Sequence, residues 1–300
     1  MAKIKVMCTS TGCLEYAPER YRNLGIGIIR IHVNFKGKEY LEGLDLDPVA
    51  FYNDLETLED PKNNLPYTAM PTREEIMEHF ENACADGYDE VIVIALSAYL
   101  GGTYNLIRLI SQEFSERIKI TVIDSKITCF GEGLLAIKAA QMAAEGKDSD
   151  TIIKEIHWMM KHQEFIGVDG KLDYLIYNGR LKGGKALMGK MLSICPVVHF
   201  THEGELCALQ SVRTPKKALA RTCELLKELI GDRAPEDYLL WHVYTGTSLM
   251  DQLVEIEKNY EIKTNHEPVI VSPVSGCHNG PWLAGYGLLF LRRDDEPLED

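Results

Sequence analysis

Between Asp89 and Phe114 the chain sets a serine, two glycines and a threonine where a strand gives way to a helix: Ser97-Ala98-Tyr99-Leu100-Gly101-Gly102-Thr103. These residue types suit an anion. Gly101-Gly102 lets the backbone turn without a side-chain clash, and the hydroxyl of Thr103 is expected to cap the first helical turn. The unpaired amides and positive dipole end of such a helix would take a carboxylate or a phosphate. A glycine pair also describes an ordinary strand-to-helix connection. Three other chemistries draw on the same residues. Ser97 with His278 would be a nucleophile and its base, but the chain lacks a Gly-x-Ser-x-Gly elbow and an acid placed to orient the histidine. Cys8 or Cys277 with His278 would make a thiol enzyme, again without a signature. A nucleotide phosphate on the 97–104 loop would call for Gly-x-x-x-x-Gly-Lys-Ser/Thr or Gly-x-Gly-x-x-Gly, both absent, and Asp124 is a poor substitute for a ribose-binding acid.

The elements around this loop must hold it at the edge of a sheet. Residues 91–96 are a short apolar run rich in β-branched side chains, as in a strand buried on both faces of a parallel sheet. From Tyr104 the period changes, and Leu106, Ile107, Leu109, Ile110 and Phe114 share one helical face. The helix therefore starts outside the carboxyl end of a central strand, where ligands of open α/β sheets collect.

Strand and helix alternate through the first half. Residues 3–8 read as a strand, followed by the polar loop Thr9-Ser10-Thr11-Gly12-Cys13. Residues 26–33 and 39–44 read as a hairpin turning at Gly37, and Asp47-Pro48 opens a helix to about Leu58. Thr72 and Glu75 have capping-box spacing for a helix over 73–86, with Thr68 in the extended, proline-flanked approach to it. A strand at 118–124 and an alanine-rich helix at 130–145, stopped by Gly146, complete an α/β/α arrangement.

A helix over 149–163 crosses to the second half. There the pattern predicts strands at 165–168, 196–200, 206–212, 238–244 and 287–291, with 267–274 extended and the pair around His202-Glu203-Gly204-Glu205 antiparallel. Helices are expected at 171–178, 185–193, 215–230 and 248–259, and a frayed acidic tail at 292–300. The expected fold is two α/β domains: a three-layer parallel one over 1–147 with a small hairpin insertion near 26–44, and a mixed-sheet one over 148–300.

Three hundred residues suffice for two cores, and 45% hydrophobic with 26% charged residues is ordinary for a globular chain. The formal charge of −13 argues against a general binder of nucleic acid or of anionic membranes. No apolar run reaches the roughly 20 residues of a membrane span, and the first residues enter a strand pattern without a secretory h-region, so a cytoplasmic location is expected. The eight cysteines form no C-x-x-C pair and no zinc spacing, which predicts reduced thiols and no metal or other cofactor. His199 and His202 flank a turn and are expected to be exposed.

Five stretches, in order, resemble the DegV family, which includes the fatty-acid-binding subunits of bacterial fatty acid kinase. Residues 97–104 resemble its Ser-Ser-x-Leu-Ser-Gly-Thr-Tyr, and Asp124-Ser125-Lys126 matches its Asp-Ser-Lys. Leu172-Asp173-Tyr174-Leu175 through Asn178-Gly179-Arg180-Leu181 is similar to Leu-Glu-Tyr-Leu…Gly-Gly-Arg-Ile. Val212-Arg213-Thr214 with Lys216-Lys217-Ala218-Leu219, and Gly276-Cys277-His278-Asn279-Gly280-Pro281, complete the set.

The resemblance implies a non-enzymatic lipid carrier. A long-chain fatty acid would lie in an apolar tunnel between the domains, and a separate ATP-dependent kinase subunit would phosphorylate it. Thr68 and Ser97 take the places of family hydroxyls near the carboxylate, with Gly101, Gly102 and Thr103 at the helix start. Arg180, Arg213 and His278 match family residues near the head group or its opening. The sequence departs from the pattern at both acids of the opening Asp-Ser-Thr-x-Asp-Leu, here Thr9 and Cys13. Ala98 and Gly101 replace serines, Ala69-Met70 stand in Ser-Gln positions, and Trp282 replaces a glycine. Trp282 or Tyr99 is expected to narrow the tunnel.

Overall fold

The computed structural model describes residues 2–181 and 194–292, so the helix expected over 185–193 and the tail over 293–300 lie outside the described residues. The first lobe contains β1 (Ile4–Thr9), β2 (Gly27–Ile29), β3 (His32–Phe35), β4 (Lys38–Leu41), α1 (Pro48–Glu56), α2 (Pro61–Asn64), β5 (Tyr67–Ala69), α3 (Arg73–Ala85), β6 (Glu90–Ala95), α4 (Thr103–Ser111), β7 (Lys119–Asp124), α5 (Phe130–Ala144) and α6 (Ser149–Lys161). Four strands, ordered β2-β1-β6-β7, form a wholly parallel sheet. Ile76 and Phe80 of α3 and Ile107 and Ile110 of α4 cover one face; α5 and α6 cover the other. That double cover explains why residues 91–95 are uniformly apolar: all five are buried.

The second lobe contains β8 (Gln163–Asp169), α7 (Asp173–Tyr177), β9 (Cys195–Phe200), β10 (Leu206–Val212), α8 (Pro215–Ile230), β11 (Tyr238–Tyr244), α9 (Thr247–Glu257), β12 (Val269–Ile270), α10 (Pro273–Asn279) and β13 (Leu283–Phe290). Its sheet runs β10-β9-β8-β13-β11-β12, antiparallel except for the parallel pair β11/β12. The architecture is thus mixed α/β, with a parallel sheet and a separate mixed sheet. The expected β9/β10 pairing is present.

A third sheet, β4-β3-β5, departs from the sequence reading. The run expected as one strand over 26–33 is two strands in two sheets: β2 stays beside β1, and after Arg30-Ile31 the chain enters β3. Arg30 pins this switch through a two-pronged contact, Nη1 to Glu15 Oε2 at 2.8 Å and Nη2 to Oε1 at 2.6 Å. A change of sheet without a turn residue leaves alternating hydrophobicity undisturbed, so the pattern could not show it. The β3/β4 turn has Lys36 at φ 51° and Gly37 at φ 74°, as a tight primed hairpin needs. Thr68 sits on β5, paired with Val33.

The second departure is α10. Residues 267–274 were expected to be extended; only β12 is a strand, and Ser272 then caps a helix with Pro273 in its first turn, its Oγ accepting from Ser275 N at 3.3 Å. The Ser-Pro pair is a helix-start signal that the extended reading passed over. His278 is in the last turn of α10.

Candidate functional site

A cavity of about 140 Å³ lies between the lobes, within about 1060 Å³ of unfilled space that includes its mouth. Phe165, Phe200, Leu206, Trp241, Val243 and Leu283 from the second sheet face Ile31, Leu96, Ile127 and Phe130 from the first lobe across it. The starts of α4 (Gly101, Gly102, Thr103) and α5 (Thr128, Cys129, Phe130) both reach its wall. Helix starts carry unpaired N–H groups and positive potential, so the polar side of this cavity favours an anion while the rest favours hydrocarbon.

Thr68, Arg180 and His278 converge on the cavity from three elements. Thr68 Oγ1 and His278 Nε2 are 3.1 Å apart. Burial first, and the positive Arg180 second, hold the His278 imidazole down to about 3, so it is neutral at ordinary pH. Its Nδ1 is buried with no hydrogen-bond partner among the described residues. A buried orphan N–H is rarer than a buried unfilled acceptor, which assigns the proton to Nε2. Nε2–H then donates to Thr68 Oγ1, and the Thr68 hydroxyl proton is free to point at a ligand.

Arg180 is half-buried. Its Nε donates to Leu100 O at 3.3 Å and its Nη1 to Asn178 O. Burial alone lowers its pKa, and no carboxylate pairs with it among the described residues. A guanidinium removed from water without a counter-ion is costly unless a ligand brings one.

The other sequence-predicted residues divide. Gly101, Gly102 and Thr103 line the cavity. Thr103, however, is the first residue of α4 rather than its cap; Gly102 occupies the cap position and no side chain bonds the helix start. At Gly102 an added Cβ would lie 2.8 Å from Met70 Sδ, so glycine there serves the close approach of Met70, while Gly101 has open space around it.

Ser97 is fully buried but is not in the cavity wall. Its Oγ donates to Gly204 O at 2.8 Å in the β9/β10 hairpin, tying one lobe to the other. Arg213 is exposed just beyond β10, whose opposite end, at Leu206, touches the cavity; seven residues of strand separate them by roughly 23 Å. Neither Trp282 nor Tyr99 narrows the cavity: Lys171 Nζ lies 3.4 Å over the Trp282 ring, and Tyr99 is exposed. His199 is half-buried against Cys207 rather than exposed, whereas His202 is exposed as expected.

Sequence reasoning missed Glu132. This carboxyl is fully buried in the first turn of α5, accepting from Thr9 Oγ1, from Thr11 Oγ1 at 2.7 Å and from Cys8 Sγ at 3.4 Å. Burial pushes it up to about 8. Thr9 holds the place of a missing family acid, and Glu132 returns a carboxyl to that spot from another element. The signal was a lone acid inside an otherwise apolar helix start. Thr11 joins this cluster to the cavity wall.

The pairs a hydrolase would need are not formed. Ser97 meets a carbonyl rather than a histidine, and burial raises the Cys8 and Cys277 thiols far above the range of a nucleophile.

The family model described as uncharacterised protein, DegV family, matches residues 3–291. A DegV domain-containing protein of Listeria innocua is 32% identical over 284 residues, covering 94% of this chain and 97% of the relative. Among solved structures, a fatty acid binding DegV family protein from Streptococcus agalactiae superposes with a TM-score of 0.85 at 28% identity, covering 97% of this chain and 100% of the other. DegV, a fatty acid binding protein from Bacillus subtilis, gives 0.81 at 27% identity with the same coverage.

Proposed function

Because this chain belongs to the DegV family, we propose that it binds a long-chain fatty acid in the cavity between its lobes. The carboxylate lies at the end formed by Thr68, His278, Arg180 and the start of α4, and the acyl chain follows the apolar wall toward Phe165, Phe200 and Trp241. The observation that carries this reading is Arg180, a half-buried cation without a carboxylate partner among the described residues, at the polar end of a mostly apolar cavity. A fatty acid supplies the missing counter-ion and covers the greasy wall at once. His278 is a positioning residue that turns the Thr68 hydroxyl toward the carboxylate. The solved relatives described as fatty acid binding support the same ligand class.

On this reading the protein is a cytoplasmic carrier rather than an enzyme, and it presents the carboxylate to a separate ATP-dependent kinase subunit. Tyr67 and Met70, which flank Thr68, are exposed, so the carboxylate end is close to a surface that such a partner can reach.

Native mass spectrometry of protein purified from bacteria tests the ligand. One fatty acid per chain is expected; an empty protein that also ignores an added lipid mixture, or one carrying a nucleotide, would reject the proposal.

A further inference from the structure

Trp241 is 2% exposed, and its Nε1–H has no hydrogen-bond partner among the described residues. A buried indole N–H ordinarily finds an acceptor, and one left without costs stability. Its aromatic neighbours do not supply one. Phe130 stands at 89° to it with centroids 5.6 Å apart, and His266 at 67° and 6.4 Å; a π face accepts an N–H only weakly. Both nitrogens of His266 are engaged elsewhere. Nε2 accepts from Arg20 Nη2 at 3.0 Å, which leaves the proton on Nδ1, and Nδ1 donates to Glu267 O at 2.9 Å.

The indole edge that carries this donor lies at the cavity between the lobes. Trp241 on β11 is the cross-strand partner of Gly287 on β13, and both line that cavity. A Cβ at Gly287 would lie 2.7 Å from Trp241 Nε1 and closer still to Cε2 and Cζ2, so a bare glycine is what seats this edge of the ring. Phe165, Phe200, Val243 and Leu283 make the same wall hydrocarbon. A plain acyl chain would cover the donor and leave it unpaired.

We infer that Trp241 Nε1–H recognises an oxygen part-way along the acyl chain, which makes the preferred ligand an oxo or epoxy fatty acid. This rests on the fatty-acid reading and adds to it a second polar anchor, apart from the carboxylate end at Thr68, Arg180 and His278. An oxo or epoxide oxygen accepts the indole proton and brings none of its own. A hydroxyl would bring a proton for which the side chains of Phe165, Phe200, Val243 and Leu283 offer no acceptor.

Calorimetric titration of delipidated protein with stearate, and with a series of oxostearates that differ in the position of the carbonyl, tests this. Trp241→Phe keeps an aromatic ring and removes the donor. In that variant the affinity for the best-bound oxostearate, relative to stearate, is expected to fall at least about tenfold. The unaltered protein gives a second reading through the indole N–H signals of its three tryptophans in NMR spectra, assigned with Trp158→Phe and Trp282→Phe. The Trp241 signal is expected to move downfield with the oxostearate and not with stearate, while Trp158 and Trp282, which do not line the cavity, serve as controls. A relative affinity unchanged in a folded Trp241→Phe, or a Trp241 signal that responds alike to both acids, overturns the inference and leaves the fatty-acid reading standing. Binding of neither acid to the unaltered protein overturns both.

Discussion

Ser97 Oγ donates to Gly204 O at 2.8 Å, and this contact bridges residues 107 positions apart in opposite lobes. The hydroxyl expected to hold a carboxylate holds the hairpin instead. Ser97→Ala should therefore cost about 1–3 kcal/mol, the penalty of a buried carbonyl left without its donor, and leave fatty-acid retention unchanged. Gly204→Ala should cost more, since Gly204 has φ 95° and a Cβ there would lie 2.4 Å from Ser97 Oγ. Thermal melts and native mass spectrometry on both variants check this.

Thr68→Ala should do the reverse. Its hydroxyl stands in the cavity wall, so bound lipid is held more weakly by about 1 kcal/mol with little change in melting temperature. Retention equal to the parent would put the head group elsewhere.

Arg180→Met should weaken binding of a fatty acid by about 2–3 kcal/mol, the range for a hydrogen bond to a charged group. The empty protein should be no less stable, because the guanidinium is half-buried without an ion-pair partner among the described residues. Calorimetric titration with palmitate and a melt of delipidated protein separate the two effects. Arg213→Ala, at the far end of β10, should change neither.

Stability should fall as pH rises. Glu132 goes from 4.5 to about 8 on folding and Glu42 from 4.5 to about 7, so the folded chain holds their protons more tightly than the unfolded one. Their contribution is fully present below pH 4.5 and is lost between there and about 8. Glu132→Gln should flatten the upper part of that decline in urea melts at pH 6, 7 and 8.5, because the Thr9 and Thr11 hydroxyls can rotate to suit an amide.

The chain declared its main elements through period and caps. The buried run at 91–95, the Thr72/Glu75 capping box, the Asp47-Pro48 start and the β9/β10 hairpin all came from local rules, and all are present. The passage of 26–33 from one sheet to another was hidden, because hydrophobic alternation carries no label for which sheet it serves. α10 was hidden by a Gly-rich composition that outweighed its Ser-Pro start. Of the candidate site, Thr68, Arg180 and His278 were found through motif positions, and the meeting of Thr68 with His278 depends on β5, read as extended but without its sheet, and on α10, which was not read as a helix. Glu132 was missed because a single acid on a helix ordinarily faces water.

The small sheet and α1 lie early in the chain, yet they lean on its end. Tyr52 Oη donates to Val271 O at 2.9 Å and to Ser272 O at 3.1 Å, and Val274 N donates to Glu42 Oε1 at 3.1 Å. A fragment ending near Gly146 would carry these groups with nothing to receive them, and its counterpart would lack the floor beneath His278. Synthesis must therefore run almost to completion before the small sheet and α1 find their resting place, and the pocket is the last thing the chain finishes.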